Sequence, residues 1–354
     1  MKLYRLGTVP WQDSQLLYHS LPHVGREGVI LCSPATTYVC IGYFQDAEQE
    51  VDLEFCREND IPLFRRELGG GATYLDGEQL FFQLIIHRDN PLIPTGGKLA
   101  FYRKFLQAPI ESYRALGIPA EYREVNDIIA NQRKVSGCGA GEIGDYYVLV
   151  GNLIVDFNYE MMARVLKVPD EKFRDKIYKT IYENLSTIKR EINHVPPREE
   201  LWSLMAAKFI EMLGPMEIVT AVDEEWRVQT DELATRFLDD EWLHQKRRSR
   251  AGRFGKAQRK REVTIRAGVQ VRQKMYKAPG GLIRATTEVR DGAIASISLS
   301  GDFFFFPEEK LANLEAALVG VREAEAEAAI THFYREHGIE SPGVTPADFA
   351  RVLV

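Results

Sequence analysis

Two short segments carry the side chains best suited to chemistry on an anion. The first is Arg65-Arg66, followed by the three consecutive glycines of 69–71, and the second is Lys134, which precedes Val135-Ser136-Gly137. Guanidinium groups bind phosphate and carboxylate oxygens in pairs, and glycines let backbone N–H groups approach a bulky anion without a Cβ in the way. Together the two segments predict a pocket for an acyl phosphate or a nucleotide.

The two arginines are expected to differ in role. Successive residues of a β-strand point to opposite faces, so at most one of them faces the glycine loop squarely. We predict that this residue is Arg66. The alternatives are a solvated arginine pair before a turn and a glycine triplet that is merely flexible. The β-rich runs at 61–64 and 79–87 flank the loop, which places it at the edge or mouth of a sheet.

Lys134 carries a compact positive charge, which suits a carboxylate and a phosphate held close together. The segment 131–133 is typical of a hairpin turn, so Lys134 is expected to project from a strand start. Asp127, after Asn126, is a candidate ligand of Mg²⁺ together with phosphate oxygens and water. The alternatives are a solvated lysine and an aspartate that only forms a turn.

Three further patterns bear on the kind of site: a glycine motif, the P-loop motif and a cysteine. Residues 139–144 match G-x-G-x-x-G, but a dinucleotide site needs a helix after them and the next residues are typical of a strand. We therefore predict a mobile loop that closes over a ligand. The sequence contains no G-x-x-x-x-G-K-[ST], so ATP would bind without a P-loop. Cys138 is a candidate thiol nucleophile, although no obvious general base is near it.

Length and composition favour a soluble cytoplasmic protein of two domains. The 354 residues carry a net charge of −6, which argues against a dedicated nucleic-acid-binding protein. The N-terminus lacks the apolar region of a signal peptide, and no run approaches the roughly 18 apolar residues of a membrane span. The four cysteines form no Cys-x-x-Cys pair, so we expect free thiols, mostly buried, at Cys32, Cys40, Cys56 and Cys138.

The hydrophobic patterns predict an α+β fold of strands and helices. One predicted helix, 98–116, is divided by Pro109. Residues 160–238 are mainly helical, and a second α+β block begins at 263. Between the blocks, Lys246 to Arg261 carry nine Lys or Arg and no acid. Such a run is typical of an interdomain connection, a solvated face or a docking segment for an acidic protein.

The two site segments resemble those of the lipoate-protein ligase family. The resemblance rests on Arg65-Arg66-x-x-Gly69-Gly70-Gly71-Ala72-x-Tyr74-x-Asp76 and on Asn126-Asp127 with Arg133-Lys134-Val135-Ser136-Gly137. Residues 245–354, with Lys277-Ala278-Pro279-Gly280-Gly281, resemble an accessory domain that some members carry in the same chain. The resemblance implies a biotin/lipoate ligase-like fold of mixed sheets with flanking helices. It has three parts: a catalytic domain at 1–240, a basic linker at 241–262 and a smaller α+β accessory domain at 263–354.

The resemblance also implies a two-step reaction. Lipoate and Mg-ATP give lipoyl-AMP and pyrophosphate, and a lysine amine of an acceptor protein then attacks the mixed anhydride. Because a carboxylate that attacks a phosphate must overcome like-charge repulsion, fixed cations are the usual remedy. Lys134 would contact the acyl carboxyl group and the α-phosphate. The implied site for ATP and lipoyl-AMP consists of Arg66, Gly69, Gly70, Gly71, Ala72, Thr73, Tyr74, Lys134 and Gly137.

The implied acceptor is a lipoyl domain or a glycine-cleavage H-like carrier, with neither nucleic acid nor a membrane as partner. Two alternatives stay open. An octanoyl transferase would use Cys138 as a thioester nucleophile and need no ATP, and a non-catalytic lipoyl-binding protein would bind lipoate without forming the adenylate. The sequence departs from the family pattern at Leu75, where a histidine is common, and at 138–141, where small residues with a glutamine or tyrosine are usual.

Overall fold

The structure, a computed structural model, describes residues 1–168, 171–246, 262–266 and 269–353. It combines helices with mixed sheets, so the predicted α+β class is confirmed. The chain folds into two compact units, and neither is continuous in sequence. The first unit consists of Met1–Cys40, Val51–Phe64 and Thr73–Leu238, and the second of Ile41–Glu50, Arg65–Ala72 and Asp239–Val354.

Strands up to residue 219 form three sheets. In chain order they are β1 (Lys2–Val9), β2 (Gly28–Pro34), β3 (Tyr38–Ile41), β4 (Leu63–Arg65), β5 (Thr73–Leu75), β6 (Gln79–His87), β7 (Glu121–Arg123), β8 (Asp127–Ala130), β9 (Arg133–Ser136), β10 (Gly139–Ile143), β11 (Tyr146–Ile154) and β12 (Glu217–Val219). The central sheet has the order β10-β11-β6-β2-β1-β12, and the small sheets have the orders β4-β3-β5 and β7-β8-β9. β1 runs parallel to β2 and β12, whereas β10, β11, β6 and β2 pair antiparallel.

The helices up to residue 237 connect these strands. They are α1 (Asp13–Ser20), α2 (Ala47–Glu50), α3 (Leu53–Glu58), α4 (Gly97–Phe105), α5 (Gln107–Ala115), α6 (Tyr159–Val165), α7 (Arg174–Asn184), α8 (Ile188–Ile192), α9 (Arg198–Leu213) and α10 (Glu224–Phe237). The predicted helix at 98–116 breaks at Leu106 and not at Pro109. Pro109 lies in the first turn of α5, where a missing N–H costs nothing.

Strand β6 is the centre of the first unit and is buried along almost its whole length. Its side chains alternate between two faces. Leu80, Phe82 and Leu84 belong to the main apolar core, to which α4, α5 and α9 also contribute. The amides of Gln79 and Gln83, each 1% exposed, lie on the opposite face and donate to backbone carbonyls. Both ends of the Gln79 amide are hydrogen bonded, which compensates for its burial.

The hairpin that carries Lys134 is formed as predicted. Asn131 and Gln132 have φ angles of 49° and 66°, and they join β8 to β9. Positive φ at both central residues is the geometry of the two-residue turns that match the twist of antiparallel strands. Lys134 therefore lies one residue into β9, opposite Ile129.

The prediction of a mobile loop at 139–144 is wrong. Residues Gly139–Ile143 form β10, which pairs with β11 from Gly139↔Val150 to Ile143↔Tyr146. Gly144, with φ of +57°, lies in the tight turn between them. A strand follows the glycines, as predicted, so the segment presents no helix N-terminus to a dinucleotide.

The second unit has an antiparallel sheet of its own. Its elements after residue 238 are α11 (Asp240–Leu243), β13 (Glu262–Arg266), β14 (Val269–Ala278), β15 (Gly281–Arg290), β16 (Ala293–Gly301), α12 (Lys310–Ala317), α13 (Ala326–His337) and α14 (Pro346–Arg351), with the sheet order β13-β14-β15-β16. The apolar core of this unit includes Phe44, Phe303 and Phe305. The run Phe303–Phe306 is buried.

Two predicted segments, the basic run and the interdomain linker, fall largely outside the described residues. Most of the basic run, residues 247–261, lies outside the described residues, and so does most of the predicted linker at 241–262. The division into a catalytic domain at 1–240 and an accessory domain at 263–354 stays a prediction. Within the described ranges, no helix is long and apolar enough to cross a membrane.

Tyr113 of α5 joins the small Lys134-bearing sheet to the central sheet. Its fully buried hydroxyl group donates to the Val135 carbonyl of β9 and accepts from the Ile154 N–H of β11 at 3.0 Å. We predict that Tyr113→Phe lowers the free energy of unfolding by about 1–3 kcal/mol, because buried backbone groups lose a partner. Urea unfolding measures this loss. Tyr178→Phe, at an exposed tyrosine, is the control, and equal stability of both variants would contradict the prediction.

Candidate active site

The residues predicted to form the site divide between the two units. Thr73, Tyr74, Asp127, Lys134 and Gly137 belong to the first unit. The second unit holds the other members, which are Arg66, Gly69, Gly70, Gly71 and Ala72. The glycine segment thus belongs with residues that follow 238 in sequence, which no local pattern indicates.

The backbone around Lys134 is fixed by tertiary hydrogen bonds. The Lys134 carbonyl accepts from the Ser186 N–H at 2.8 Å, and the next carbonyl, of Val135, accepts from Tyr113. The Gly137 N–H donates to Asn152 Oδ1 at 2.9 Å. Because these bonds fix the backbone at the lysine and directly after it, its side chain starts from a defined position.

The Lys134 ammonium group forms an ion pair with Asp127. Its Nζ lies 2.7 Å from Asp127 Oδ1, and the Arg123 guanidinium lies 2.8 Å from Asp127 Oδ2. Burial alone would raise the pKa of the Asp127 carboxyl group, but Lys134 and Arg123 together hold that pKa below its ordinary value. The lysine side chain is 35% exposed, so a ligand can reach it.

Asp127 does not fit a resident Mg²⁺ site in this arrangement. Both of its carboxylate oxygens accept from cationic side chains, and Mg²⁺ requires such oxygens as ligands. Over the described ranges, no three His, Cys, Asp or Glu side chains gather into a metal-binding group. The carboxylate therefore serves as a partner of Lys134.

Thr73 and Tyr74 lie on β5 and are held by backbone pairing. Tyr74 pairs with Val39 and is 4% exposed, and the Thr73 hydroxyl group donates to the Cys40 carbonyl at 3.2 Å. Burial raises the pKa of the Tyr74 hydroxyl group. The Tyr74 ring is therefore part of the interior of the first unit.

Arg66 is the arginine that faces the glycine loop, as predicted. Its guanidinium group donates to the carbonyl oxygens of Gly69 at 2.8 Å and Gly71 at 2.9 Å, and the residue is 9% exposed. The Gly70 N–H donates to the Phe303 carbonyl at 3.3 Å. A phosphate that binds Arg66 or the Gly70 N–H would have to replace these partners.

Gly69 and Gly70 are required by packing and by backbone conformation. A Cβ at Gly69 would lie 2.7 Å from the Phe303 carbonyl oxygen, and Gly70 has φ of +90°, which L side chains rarely adopt. A Cβ at Gly71 would make an ordinary contact, 3.7 Å from Asp302 Cβ. Packing and backbone conformation thus explain why positions 69 and 70 are glycine, but they do not explain the glycine at position 71.

Arg65 is fully buried and has a structural role in the second unit. Its guanidinium group donates to carbonyl oxygens on two segments that are distant in sequence, which suits a planar group with five N–H donors. Because backbone oxygens take up these donors, the charge is compatible with burial. The acceptors are the carbonyls of Gly42, Tyr43, Gln45, Trp242 and Leu243.

Cys138 is poorly suited to be a nucleophile. Its Sγ lies 3.2 Å from Ser136 Oγ, and burial raises the pKa of the thiol to about 12. The thiolate is the reactive form, so this thiol stays protonated near neutral pH. As predicted, the cysteines are free thiols and mostly buried: Cys32, Cys40 and Cys56 are buried, and Cys138 is partly exposed.

Two residues at the site were missed from the sequence. Arg123 lies directly opposite Asp127 in the β7–β8 pair, and Asn152 accepts from the Gly137 N–H. An asparagine inside the apolar run of β11 is itself a signal, because asparagine is depleted in strands. Arg123 gave no comparable signal, since a surface hairpin often carries an arginine.

Sequence comparisons relate most of the chain to lipoate-handling proteins. A family model described as the lipoyl protein ligase A/B catalytic domain matches residues 9–210. Lipoate-protein ligase A subunit 1 of Thermoplasma acidophilum is 36% identical over 160 residues, 42% of this chain and 59% of that protein. A lipoate-protein ligase of Streptococcus pyogenes is 28% identical over 306 residues, 82% of this chain and 78% of that protein.

One solved structure and one octanoyltransferase sequence are also similar to this chain. A bipartite lipoate protein ligase of Thermoplasma acidophilum, described with its E2 lipoyl domain, has a TM-score of 0.60 at 27% identity and covers 69% of this chain and 95% of its own. It confirms the predicted ligase-like fold for the covered part. An octanoyltransferase of Kyrpidia tusciae is 23% identical over 228 residues, 58% of this chain and 82% of that protein.

The ion pair at Asp127 predicts a pH-dependent stability. Because the folded pKa is lowered, Asp127 stabilises the protein above its unfolded pKa of about 3.9, and this contribution is lost as the pH falls through the folded value. We expect Asp127→Asn to be less stable than the wild type at pH 7 and equally stable at low pH. Urea unfolding across this range tests it, and a difference that ignores pH would refute the assignment.

Proposed function

This chain belongs to the lipoyl protein ligase A/B catalytic domain family and is a ligase, and we propose that it is an ATP-dependent lipoate-protein ligase. The observation that carries the proposal is the Lys134 ammonium group, held 2.7 Å from Asp127 on a strand whose backbone is bonded to the Ser186 N–H. In the proposed reaction, lipoate and ATP form lipoyl-AMP and pyrophosphate. A lysine amine of an acceptor protein then takes the lipoyl group and releases AMP.

Lys134 acts in the first step by offsetting charge. The lipoate carboxylate attacks the α-phosphorus of ATP, so two anions must come together. A fixed ammonium group that contacts both the carboxylate and an α-phosphate oxygen stabilises the charge that they share. Asp127 keeps the ammonium group in place until the substrates arrive, and Arg123 then remains as the partner of Asp127.

The glycine segment and β5 are proposed to contact the nucleotide. Arg66 would exchange its loop carbonyls for phosphate oxygens, which a guanidinium group binds in pairs. Backbone N–H groups supply further donors without a change in charge. The proposed contacts are those of Gly69, Gly70, Gly71, Ala72, Thr73 and Tyr74, together with Gly137, whose own N–H stays bonded to Asn152 Oδ1. Magnesium is proposed to enter with ATP as the substrate complex.

The acceptor is proposed to be a protein domain that presents a lysine. The related archaeal ligase was described with an E2 lipoyl domain, so a lipoyl domain is the acceptor to test first. A glycine-cleavage H-like carrier is the second. The reaction is proposed to take place in the cytoplasm, with no role for nucleic acid or a membrane.

The octanoyltransferase alternative requires an activated thiol. The similarity of this chain to an octanoyltransferase of Kyrpidia tusciae supports this alternative. Cys138 is poorly suited to supply the thiol, because burial raises its pKa to about 12 and its polar neighbour is the Ser136 hydroxyl group. A non-catalytic lipoyl-binding protein is also disfavoured, since the ion-paired lysine of the proposed catalytic centre is retained.

We predict that Lys134→Ala lowers lipoate-dependent ATP–pyrophosphate exchange by at least about 100-fold, because the group that offsets the substrate charges is lost. Exchange measures the first step alone, and circular dichroism reports whether the variant is folded. The matched control is Lys189→Ala, which removes another lysine paired with an aspartate, at 2.6 Å from Asp156. Undiminished exchange in a folded Lys134→Ala protein would exclude Lys134 as the catalytic residue.

We predict that Cys138→Ser retains ATP-dependent transfer of lipoate to a lipoyl domain, within about threefold of the wild type, because the thiol forms no bond to the substrate in the ligase mechanism. Intact mass of the acceptor measures the transfer, with and without ATP. A stable octanoyl adduct on Cys138, together with transfer that ignores ATP, would instead support the transferase.

A further inference from the structure

A chain of side-chain amides connects the segment after Lys134 to strand β5. The Gly137 N–H donates to Asn152 Oδ1 at 2.9 Å, Asn152 Nδ2 donates to Gln79 Oε1 at 2.8 Å, and Gln79 Nε2 donates to the Tyr74 carbonyl at 3.2 Å. We call these three bonds the amide relay. It joins residues of β11, β6 and β5, all within the first unit.

The direction of the relay is fixed by its two ends. A backbone N–H at Gly137 requires an acceptor, and a backbone carbonyl at Tyr74 requires a donor. Each amide must therefore point its oxygen toward Gly137 and its nitrogen toward Tyr74. Rotating either amide by half a turn would oppose two oxygens or two N–H groups. Bonds aligned in this way strengthen one another.

The relay is shielded from water. Gln79 is 1% exposed and Asn152 is 7% exposed. Asn152 pairs with Phe81 across the strands, and Gln79 is its diagonal neighbour on the same sheet face. Since water cannot easily replace a broken bond there, loss of one member leaves the next without its partner.

We propose that Asn152 and Gln79 are positioning residues for the adenylation step. The proposal rests on the proposed function, in which Lys134 contacts the carboxylate and the β5 backbone contacts the nucleotide. The relay sets the distance between the segment that follows Lys134 and the carbonyl of Tyr74. It therefore holds the carboxylate and the α-phosphorus at one separation, and an error of about 1 Å there is costly in rate.

The test compares substitutions that break the relay with one that does not. Asn152→Leu and Gln79→Met remove the amides at nearly constant volume. We expect each to lower kcat for lipoate-dependent ATP–pyrophosphate exchange by about 10- to 100-fold, with smaller changes in KM. Because the residues act through one chain, we expect the double variant to be hardly slower than the slower single variant.

Ser33→Ala is the matched control. The Ser33 hydroxyl group is buried and donates to the Gln79 backbone carbonyl at 2.8 Å, so its loss removes a neighbouring buried bond but leaves the relay intact. We expect a fall in Tm similar to that of the relay variants and a nearly unchanged kcat. If Ser33→Ala lost as much kcat at the same Tm, the effect would be one of stability and the proposal would fail.

Hydrogen exchange gives a readout that needs no turnover. We expect the Gly137 amide to exchange faster in Asn152→Leu and at the wild-type rate in Ser33→Ala. Asn152→Asp keeps an acceptor for Gly137 but removes the donor to Gln79, so protection should remain while kcat falls. Unchanged exchange at Gly137 in Asn152→Leu would disprove the relay. A wild-type protein without pyrophosphate exchange would instead disprove the proposed function, whatever the amide exchange shows.

Discussion

The candidate site in the first unit depends on the Lys134 ammonium group, which is held in place and still carries charge for a ligand. A lysine with no partner would sample many rotamers, and a lysine fully matched to one carboxylate would have little left for a ligand. Here Asp127 divides its two oxygens between Lys134 and Arg123. The shared carboxylate orients the lysine and can retain its second partner when the first turns to a substrate. The hydrogen bonds of β9 to Ser186 and Tyr113 make that orientation a property of the fold.

The central sheet adds a second constraint, because its polar side chains are placed among apolar ones. β6 is buried on both faces, and Gln79 and Gln83 interrupt its apolar sequence. Such residues reduce the hydrophobic gain of burial and are tolerated only when they find partners. Gln79 finds them in Asn152 and in the Tyr74 carbonyl. Gln79 thus connects β6 to β11 and β5 by directional hydrogen bonds, which an apolar residue at this position could not form.

Local chemistry could be predicted from the sequence, whereas long-range pairing could not. The turn at 131–132 and the opposite directions of Arg65 and Arg66 follow from rules that involve only neighbouring residues. The partners of Arg65 could not be foreseen, because Gly42 and Trp242 come close only in the folded chain. The prediction of a mobile loop at 139–144 was wrong for a related reason. Pairing with β11 orders this segment despite its glycines. The two cationic partners of Asp127 were likewise not visible in sequence.

The discontinuity of the second unit has a consequence for where the chain can be cut. Phe44 packs in the core formed by residues after 278, and the guanidinium group of Arg65 relies on carbonyls at 242 and 243. A protein that ends at Leu238 would therefore lose the aromatic core around Phe44 and two of the five carbonyl acceptors of Arg65. Both side chains would be less shielded from solvent, and we expect proteolysis to begin in the segments 41–50 and 65–72. Shortening such a chain at its apparent domain border damages the half that is kept.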